Sequence, residues 1–333
     1  MRIVAAIGGR ALLGRNGTSS LSAERDHLAH AVEALSGLAA RGALVVTYGA
    51  DLQLLVPPES VHAGAMYPMD VLEAESEGLV GYLLEQSLQE ALGDREVVTM
   101  LTRVEVDPTD PEFLRPSQPT GPLVDTETAG LLAAANKWLM VRQGEGRRRA
   151  VASPEPRRIL ESRAIELLVA SGIVVVCGGG GGIPVVRDRF GTYHGVDAVV
   201  EKDFTAALLA KDVDADALVL LTDAAGVWVD WGTPGAKLVR AASPEALRSL
   251  TLERTSIGAK VEAACRYVEW TGQEAFVGAV EDSVELLDGT TGTRISSSIK
   301  GIDLQDAVCL EPTRETLDGN MRPCDARSST TMP

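Results

Sequence analysis

The fold class is decided by the stretch Ile173-Val174-Val175-Val176-Cys177, which runs directly into five consecutive glycines, Gly178 to Gly182. An uninterrupted β-branched run is typical of a strand that is buried on both faces, as in a parallel α/β sheet. Glycines at the end of such a strand can bring backbone N–H groups close to a phosphate or another compact anion. Two interpretations stay open: an anion site at the carboxyl edge of the sheet, or a tight turn packed against a helix.

Strands and helices alternate on both sides of this stretch. Near-continuous apolar strands separated by helices predict an α/β fold, a three-layer αβα sandwich with an open, mainly parallel sheet. Strands are expected at residues 3–7, 43–47, 96–104, 173–177, 217–222 and 275–280, and helices at 22–40, 69–92, 160–171, 204–211 and 258–271.

The alternation loosens between residues 107 and 156, where five prolines cluster and Arg147–Arg149 form a basic run. We expect a flap or small protruding subdomain here; the alternative is a long solvated loop. No clear element is expected after Ile295. The main domain is therefore assigned to residues 1–295, and residues 296–333 are interpreted as a poorly ordered C-terminal tail with little core to bury.

Composition excludes several functional classes. The net charge of −16 over 333 residues disfavours nucleic acid and anionic membranes as partners. The four cysteines form no Cys-x-x-Cys pair and have no zinc-finger spacing with the four histidines, so no metal ligands are assigned. No apolar run reaches membrane-spanning length, and the N-terminal strand meets glycine too early for a signal peptide. We expect a cytoplasmic protein.

Two lysines and an aspartate are candidate catalytic residues. Lys202 and Asp203 open a helix; Lys202 could neutralise a transferred phosphoryl group, and Asp203 could orient catalytic lysines or assist with Mg²⁺. Lys260 lies near the start of another helix, where a cation opposes the helix dipole unless an anion binds nearby. The alternatives are a surface pair at 202–203 and a solvated ammonium at Lys260.

A further candidate site follows the strand at residues 217–222. Polar residues at a strand end often border a nucleotide pocket in α/β proteins; a simple strand-to-turn transition is the alternative. The candidate nucleotide-binding residues are Thr222, Asp223, Gly226 and Trp228. There is no Gly-x-x-x-x-Gly-Lys-Ser/Thr pattern, so a P-loop enzyme is excluded.

Taken together, these segments resemble carbamate kinase, in the amino acid kinase superfamily. The resemblance extends from Arg2 to about Ile295. It implies an open sheet between helical layers, a protruding subdomain near the active site, and a homodimer that uses ATP or ADP with Mg²⁺. The implied reaction, part of arginine metabolism, interconverts ATP and carbamate with ADP and carbamoyl phosphate. The segments that carry the resemblance are residues 2–4 with 8–9, 70–86, 102–111, 153–156, 179–186, 202–203 and 260–264.

The resemblance also assigns roles. Gly8 and Gly9 match glycines that approach the transferred phosphate, and Lys202 matches the lysine on the nucleotide phosphates. Asp203 matches the aspartate that organises the catalytic lysines, and Lys260 matches the second active-site lysine.

Two further groups are assigned by position. In the glycine run, Gly179 and Gly180 are the phosphate-binding candidates. The segment from Thr222 to Trp228 matches the region beside the nucleotide.

The departures from the family concentrate on the two loops that hold carbamate. Gly8-Gly9-Arg10-Ala11 replaces Gly-Gly-Asn-Ala, and Tyr48-Gly49-Ala50-Asp51-Leu52-Gln53 replaces His-Gly-Asn-Gly-Pro-Gln. Two Asn side chains that could hydrogen-bond a small planar anion are absent, and Asp51 adds a negative charge. The candidate acceptor-binding residues are Arg10, Gly49, Ala50 and Asp51.

These altered loops leave three functions open. In the first, the protein still phosphorylates carbamate, at a reduced rate. Alternatively, the planar fork of Arg10 holds another small carboxylate or amide-like acceptor. The third alternative is a non-catalytic, nucleotide-binding regulatory paralogue.

Overall fold

A computed structural model describes residues 1–9, 12, 21–49, 67–250 and 256–306. Its helices are α1 Leu21–Arg41, α2 Met69–Leu92, α3 Thr126–Asn136, α4 Ser162–Ala170, α5 Lys202–Asp212, α6 Pro244–Ser249, α7 Ser256–Thr271 and α8 Ser283–Leu287. Its strands are β1 Arg2–Ile7, β2 Ala43–Tyr48, β3 Val97–Met100, β4 Arg103–Val106, β5 Gln118–Val124, β6 Leu139–Gln143, β7 Gly146–Val151, β8 Pro156–Ile159, β9 Val174–Cys177, β10 Ile183–Arg187, β11 Tyr193–Gly195, β12 Ala217–Thr222, β13 Trp228–Val229, β14 Lys237–Ala242, β15 Glu274–Ala279, β16 Thr293–Ile295 and β17 Ile302–Asp306.

Within the described residues, the main sheet has ten strands in the order β13-β14-β16-β15-β12-β1-β2-β9-β3, with β17 added beside β14. The strands from β15 to β3 all pair in parallel, and the antiparallel pairs that the structure describes in this sheet lie toward the β13 side. Strands β2, β9 and β3 lie on one side of β1 in the sheet. Strands β12 and β15 lie on its other side. The sheet order therefore reverses at β1, and in open α/β sheets such a reversal opens a crevice at the carboxyl edge.

Helices cover both faces of this sheet. Along β1, Ile3, Ala5 and Ile7 belong to the core shared with α1 and α2, whereas Val4 and Ala6 belong to the core shared with α4, α5 and α7. Successive side chains of a strand point to opposite faces, so a strand buried on both sides must be apolar throughout. The predicted three-layer sandwich with a mainly parallel sheet is confirmed.

The strand expected at residues 96–104 is wrong as a single element. It divides into β3, at the edge of the main sheet, and β4, which pairs with β10 and β8 in a second sheet of order β11-β10-β4-β8. The division occurs at Thr102, whose side chain donates to the carbonyl oxygen of Met100 and whose N–H donates to the carboxylate of Glu77. These bonds take the backbone out of the β3 ladder, which no local periodicity reveals.

Residues 107–156 contain secondary structure of their own. Strands β5, β7 and β6 form a three-stranded antiparallel sheet beside α3. Leu132 and Val151 of this region pack against Met69 and Leu72 of α2 and against Val199. Whether the region moves as a flap stays a prediction.

The expectation of no element after Ile295 is wrong for residues 302–306. Strand β17 pairs antiparallel with β14, with Leu304 opposite Val239. The segment Ile-Asp-Leu-Gln-Asp alternates apolar and polar residues, the pattern of a strand with one face exposed. The rest of the expected tail, residues 307–333, lies outside the described residues. None of the described helices is long and apolar enough to cross a membrane.

Candidate active site

The loops after β1 and β2 meet at the carboxyl edge of the sheet. The N–H of Gly8 donates to the carbonyl oxygen of Leu221 in β12, at 3.1 Å, and the N–H of Gly49 donates to that of Ile7, at 2.8 Å. A Cβ added to Gly49 would lie 2.5 Å from the nitrogen of Gly9, closer than any side chain can approach. Glycine is therefore required where the two loops cross, as it is wherever backbones approach this closely.

Gly9 stands at the start of a helical turn. The N–H of Leu12 donates to the carbonyl oxygen of Gly8 at 3.2 Å, the spacing of an α-helix. The first N–H groups of a helix have no partner within it, so they favour an anion. The other acceptor-loop candidates, Arg10, Ala50 and Asp51, lie outside the described residues.

Asp203 joins the two candidate lysines. The Nζ of Lys260 lies 2.9 and 3.0 Å from the two carboxylate oxygens of Asp203, and the Nζ of Lys202 lies 2.9 Å from Oδ2. Asp203 is 1% exposed, the Lys260 side chain 2% and the Lys202 side chain 14%. The interpretations of a surface pair and of a solvated Lys260 are therefore wrong. We call these three residues the Lys–Asp–Lys triplet.

The electrostatics of the triplet favour a bound anion. Burial alone would raise the pKa of Asp203, but Lys202 and Lys260 outweigh burial and hold this pKa below its ordinary value. Burial and the neighbouring Lys202 ammonium lower the pKa of Lys260 to about 8, against the attraction of Asp203. Below that pH the triplet carries two positive charges and one negative charge.

The positions of the two helices explain the triplet. Lys202 and Asp203 are the first two residues of α5, and Asp203 faces α7, which packs against α5. Helix α7 begins at Ser256, two residues before the predicted start at Gly258, so Lys260 lies about one turn inside it. The helix dipole acts mainly on the first turn. The anion that Lys260 faces in the folded chain is Asp203, 57 residues away in sequence.

The glycine run forms a compact turn between β9 and β10. The N–H of Gly178 donates to Oγ1 of Thr102 at 2.9 Å, and the N–H of Gly179 donates to Oε1 of Glu77 at 3.1 Å. The N–H groups of Gly181 and Gly182 donate to the carbonyl oxygens of Gly178 and Gly179. Four of the five N–H groups are thus bound within the protein, which supports the tight-turn interpretation for them.

The same turn lies against the start of α5. Oγ1 of Thr205 donates to the carbonyl oxygen of Gly181 at 2.8 Å. A Cβ on Gly181 would overlap the carbonyl oxygen of Val200 and lie 3.2 Å from the nitrogen of Lys202. The glycine run therefore brings its backbone directly beside the Lys–Asp–Lys triplet.

The candidate nucleotide-binding residues extend across the sheet. Thr222 ends β12 and its hydroxyl lies 3.2 Å from a carboxylate oxygen of Asp223. Trp228 belongs to β13, at the far edge of the sheet, where its ring centroid lies 5.3 Å from that of the exposed Trp231. Gly226 lies in the connection between them, before Val227, which is anchored by an N–H bond to Oγ1 of Thr293.

Two buried carboxyl groups were not predicted from the sequence. Glu73 and Glu77 lie one turn apart on the buried face of α2. Burial, aided by the charge of Glu77, raises the pKa of Glu73 to about 8; burial raises the pKa of Glu77 to about 7 although several hydrogen bonds oppose it. The signal was present, because two glutamates at i and i+4 interrupt the apolar side of an otherwise regular helix.

Most of the chain is similar to proteins of known family. Residues 1–278 match the model of the amino acid kinase family. The chain is 42% identical to a carbamate kinase of Rhizobium meliloti, over 91% of this chain and 95% of that protein, and 43% identical to one of Escherichia coli K12, over 88% and 99%. A carbamate kinase structure from Giardia lamblia, bound to AMP-PNP, superposes with a TM-score of 0.82 at 30% identity, covering 89% of this chain and 98% of that one. The chain therefore belongs to the amino acid kinase family, and within it to the carbamate kinase-like, ATP-dependent phosphotransferases.

Proposed function

We propose that this chain transfers a phosphoryl group between ATP and carbamate, with ADP and carbamoyl phosphate as the other pair, and that the Lys–Asp–Lys triplet is its catalytic centre. The observation that carries the proposal is the buried triplet itself, in which one carboxylate holds both ammonium groups within 3.0 Å. Groups fixed in advance and shielded from water stabilise a developing charge far better than solvated ones.

The roles within the triplet follow from exposure. Lys202 is the more accessible lysine and would contact the nucleotide phosphates, whereas Lys260 is more deeply buried and would face the transferred group. Asp203 fixes both lysines without contacting the substrate. Gly8 and Gly9 supply backbone N–H groups at the sheet edge; Gly180 is the best-placed donor of the glycine run, since Gly179 already donates to Glu77.

Mg²⁺ is expected to arrive with the nucleotide. Among the described residues no three His, Cys, Asp or Glu side chains are grouped so that they could hold a metal ion. Mg²⁺ is commonly held by substrate phosphates and one or two carboxylates rather than by a protein cage. The triplet's carboxylate is already committed to two lysines, so the protein side of a magnesium site is not assigned.

We also propose a homodimer in the cytoplasm. Val71, Leu79 and Tyr82 are exposed apolar residues on one side of α2, and they provide a candidate contact surface for a second copy. Light scattering after size-exclusion chromatography would measure the mass, and substitution of Tyr82 by Glu should shift it toward the monomer. Cell fractionation would test the location.

The acceptor is tested by direct assay. The purified protein is given ADP and carbamoyl phosphate, and ATP formation is followed through a coupled enzyme. In the reverse direction, carbamate is compared with acetate, formate and other small carboxylates. ATP formation from carbamoyl phosphate supports the proposal. Transfer to another carboxylate alone would replace carbamate as the acceptor, and ATP binding without any transfer would identify a regulatory paralogue.

The altered loops can be tested by restoring the family residues. The triple substitution Arg10→Asn, Ala50→Asn and Asp51→Gly replaces one cation and one anion with two amides and a glycine. If the loops weaken carbamate use, the variant should raise carbamate turnover, because two well-placed hydrogen bonds to an anion are worth about 1.5–3 kcal/mol each. An unchanged or lower turnover would show that the native loops suit the acceptor.

A further inference from the structure

We propose that Glu77 is a positioning residue of this site: its carboxylate ties the loop after β3 to the glycine run and holds that run against the start of α5. The inference rests on the proposed function, because it concerns how the phosphate end of the same site keeps its shape. Glu77 lies on α2 and does not itself contact the Lys–Asp–Lys triplet in any bond that the structure shows.

Both carboxylate oxygens of Glu77 accept backbone hydrogen bonds from different strand ends. Oε1 accepts the N–H of Gly179, at 3.1 Å, from the loop after β9, and Oε2 accepts the N–H of Thr102, at 3.0 Å, from the loop after β3. The carbonyl oxygen of Glu77 also accepts the hydroxyl of Tyr48, at 2.6 Å, from the end of β2. One residue thus connects the ends of three parallel strands at the edge where the phosphate would bind.

The glycine run also packs against α5, so the restraint extends to the helix that carries Lys202 and Asp203. Tyr48 packs against Gly179 so closely that a Cβ there would lie 2.5 Å from its ring. On the other side, Gly181 is bonded to Thr205 and lies against the nitrogen of Lys202. The turn is therefore held on one side by α2 and on the other by α5. Loss of the hydrogen bond to Glu77 would remove the restraint on the α2 side.

This role requires an ionised carboxylate. Two N–H donors point at two oxygens, so each oxygen must accept. Protonation turns one oxygen into a hydroxyl donor, and a glutamine in the same place offers an amino group to one of the two N–H donors. Protonation therefore leaves one buried N–H with a much weaker acceptor, and glutamine leaves one with none, which is costly in a buried site.

The environment of Glu77 brings its titration close to neutral pH. The titratable groups that the described residues place against it are Glu73 on the same helix, Tyr48 of β2 and Cys177 of β9. Burial raises the pKa of Tyr48 and of Cys177 well above their ordinary values, so both stay neutral near pH 7. With the pKa of Glu77 itself at about 7, the carboxylate is lost as the pH falls through that value.

The experiment compares Glu77→Gln with Glu73→Gln as its matched control. Both glutamates are buried on the same face of α2. Among the described residues, however, Oε2 of Glu73 has no hydrogen-bond partner, and Glu73 contacts neither loop through a bond that the structure shows. Binding of AMP-PNP with Mg²⁺ is measured by calorimetry from pH 6 to pH 8, and ATP formation from carbamoyl phosphate is measured in the same samples. Circular dichroism and thermal melting check that each variant is folded.

We expect wild type and Glu73→Gln to bind AMP-PNP alike at pH 8 and to weaken together below about pH 7. Glu77→Gln should bind about tenfold more weakly at pH 8 and lack the weakening below pH 7, whereas any change that comes from the titration of Lys260 is shared by all three proteins. Equal binding by all three proteins would overturn the positioning role. If Glu77→Gln does not fold, Glu77→Asp, which keeps the charge but shortens the side chain, is compared with Glu73→Asp at pH 8. Weaker AMP-PNP binding by Glu77→Asp alone supports the role, because the shorter carboxylate cannot reach both the N–H of Thr102 and the N–H of Gly179. Equal binding by the two variants overturns it.

The two proposals fail in different ways. A wild-type protein that binds AMP-PNP but forms no ATP refutes the catalytic proposal, while the binding comparison still decides the role of Glu77. Normal ATP formation by wild type and by both variants refutes the role of Glu77 alone. A wild type that binds no nucleotide refutes both.

Discussion

At the residue scale, Asp203 determines what the two lysines can do. Its carboxylate bonds both ammonium groups, so each lysine is held in place although both are withdrawn from water. The sequence predicts the identity of these residues but not the distances between them. Asp203 and Lys260 lie on different helices and are 57 residues apart in sequence. Glu77 was not predicted, because its significance depends on two backbone N–H groups that only the folded chain brings to it.

Substitution of Asp203 by Asn should disable transfer. The amide keeps the shape but removes the negative charge between the two ammonium groups, and the remaining carboxylate, that of Glu201, lies 3.7 Å from Lys202. We expect a fall of about 10²- to 10³-fold in the rate of ATP formation, comparable to the loss of a preorganised electrostatic group. A rate within a few-fold of wild type would show that Asp203 does not organise the lysines.

The pH profile of the wild-type reaction should decline on its alkaline side. With the pKa of Lys260 lowered to about 8, its ammonium form is present below that pH and is lost as the pH rises through it. The value of kcat/KM, which reports the free enzyme, should therefore fall above about pH 8, and Lys260→Arg should move the decline to higher pH. A profile that is unchanged in Lys260→Arg would contradict this assignment.

Glu73→Gln should stabilise the protein, increasingly so toward pH 8. The pKa of Glu73 is raised from its ordinary value to about 8 in the folded chain. Between these two values the unfolded chain releases the proton and the folded chain keeps it, so wild-type stability falls by about 1.4 kcal/mol per pH unit as the pH rises. Urea unfolding at pH 5.5 and pH 8 measures the difference between variant and wild type. A constant difference would contradict the pKa.

At the element scale, α2 protects the open edge of the main sheet. Its side chains replace a neighbouring strand for β3: Oε1 of Gln89 accepts the N–H of Val97 at 3.0 Å, and Oε2 of Glu85 accepts the N–H of Thr99 at 2.7 Å. An unprotected edge strand invites pairing with other chains. The helix itself was predicted with its observed bounds, because its pattern is long and regular. The division of β3 from β4 was not, because it depends on contacts with Glu77.

Glu85→Ala should lower stability and leave the chemistry intact. Removing the acceptor exposes the N–H of Thr99 at a partly buried edge, and a lost hydrogen bond of this kind costs about 1–3 kcal/mol. Glu85→Gln keeps one acceptor oxygen and should recover most of the loss. Urea unfolding gives the free energies, and unchanged kcat and KM in both variants would confirm that the role is confined to the sheet edge.

At the scale of the whole molecule, the sequence predicts the sandwich because its buried strands must be apolar on both faces. The small sheets around residues 103–195 were not predicted, since their strands are short and partly exposed and pair over long distances. Strand β17 was missed because a single alternating segment is a weak signal beside a polar tail. The crevice at the reversal of the sheet order gathers the loops after β1, β2, β9 and β12, and the start of α5 lies against the β9 loop.

The most direct test of the catalytic centre compares Lys202→Ala with Lys211→Ala. Both lysines belong to α5, but Lys202 bonds Asp203 at the first turn, whereas Lys211 is exposed in the last turn, with its ammonium over the ring of Trp270. The measurement is the rate of ATP formation from ADP and carbamoyl phosphate by each purified variant. Because the Lys–Asp–Lys triplet is the proposed catalytic centre, we expect Lys202→Ala to lose this activity and Lys211→Ala to keep it. Equal rates in the two variants would refute a catalytic role for Lys202.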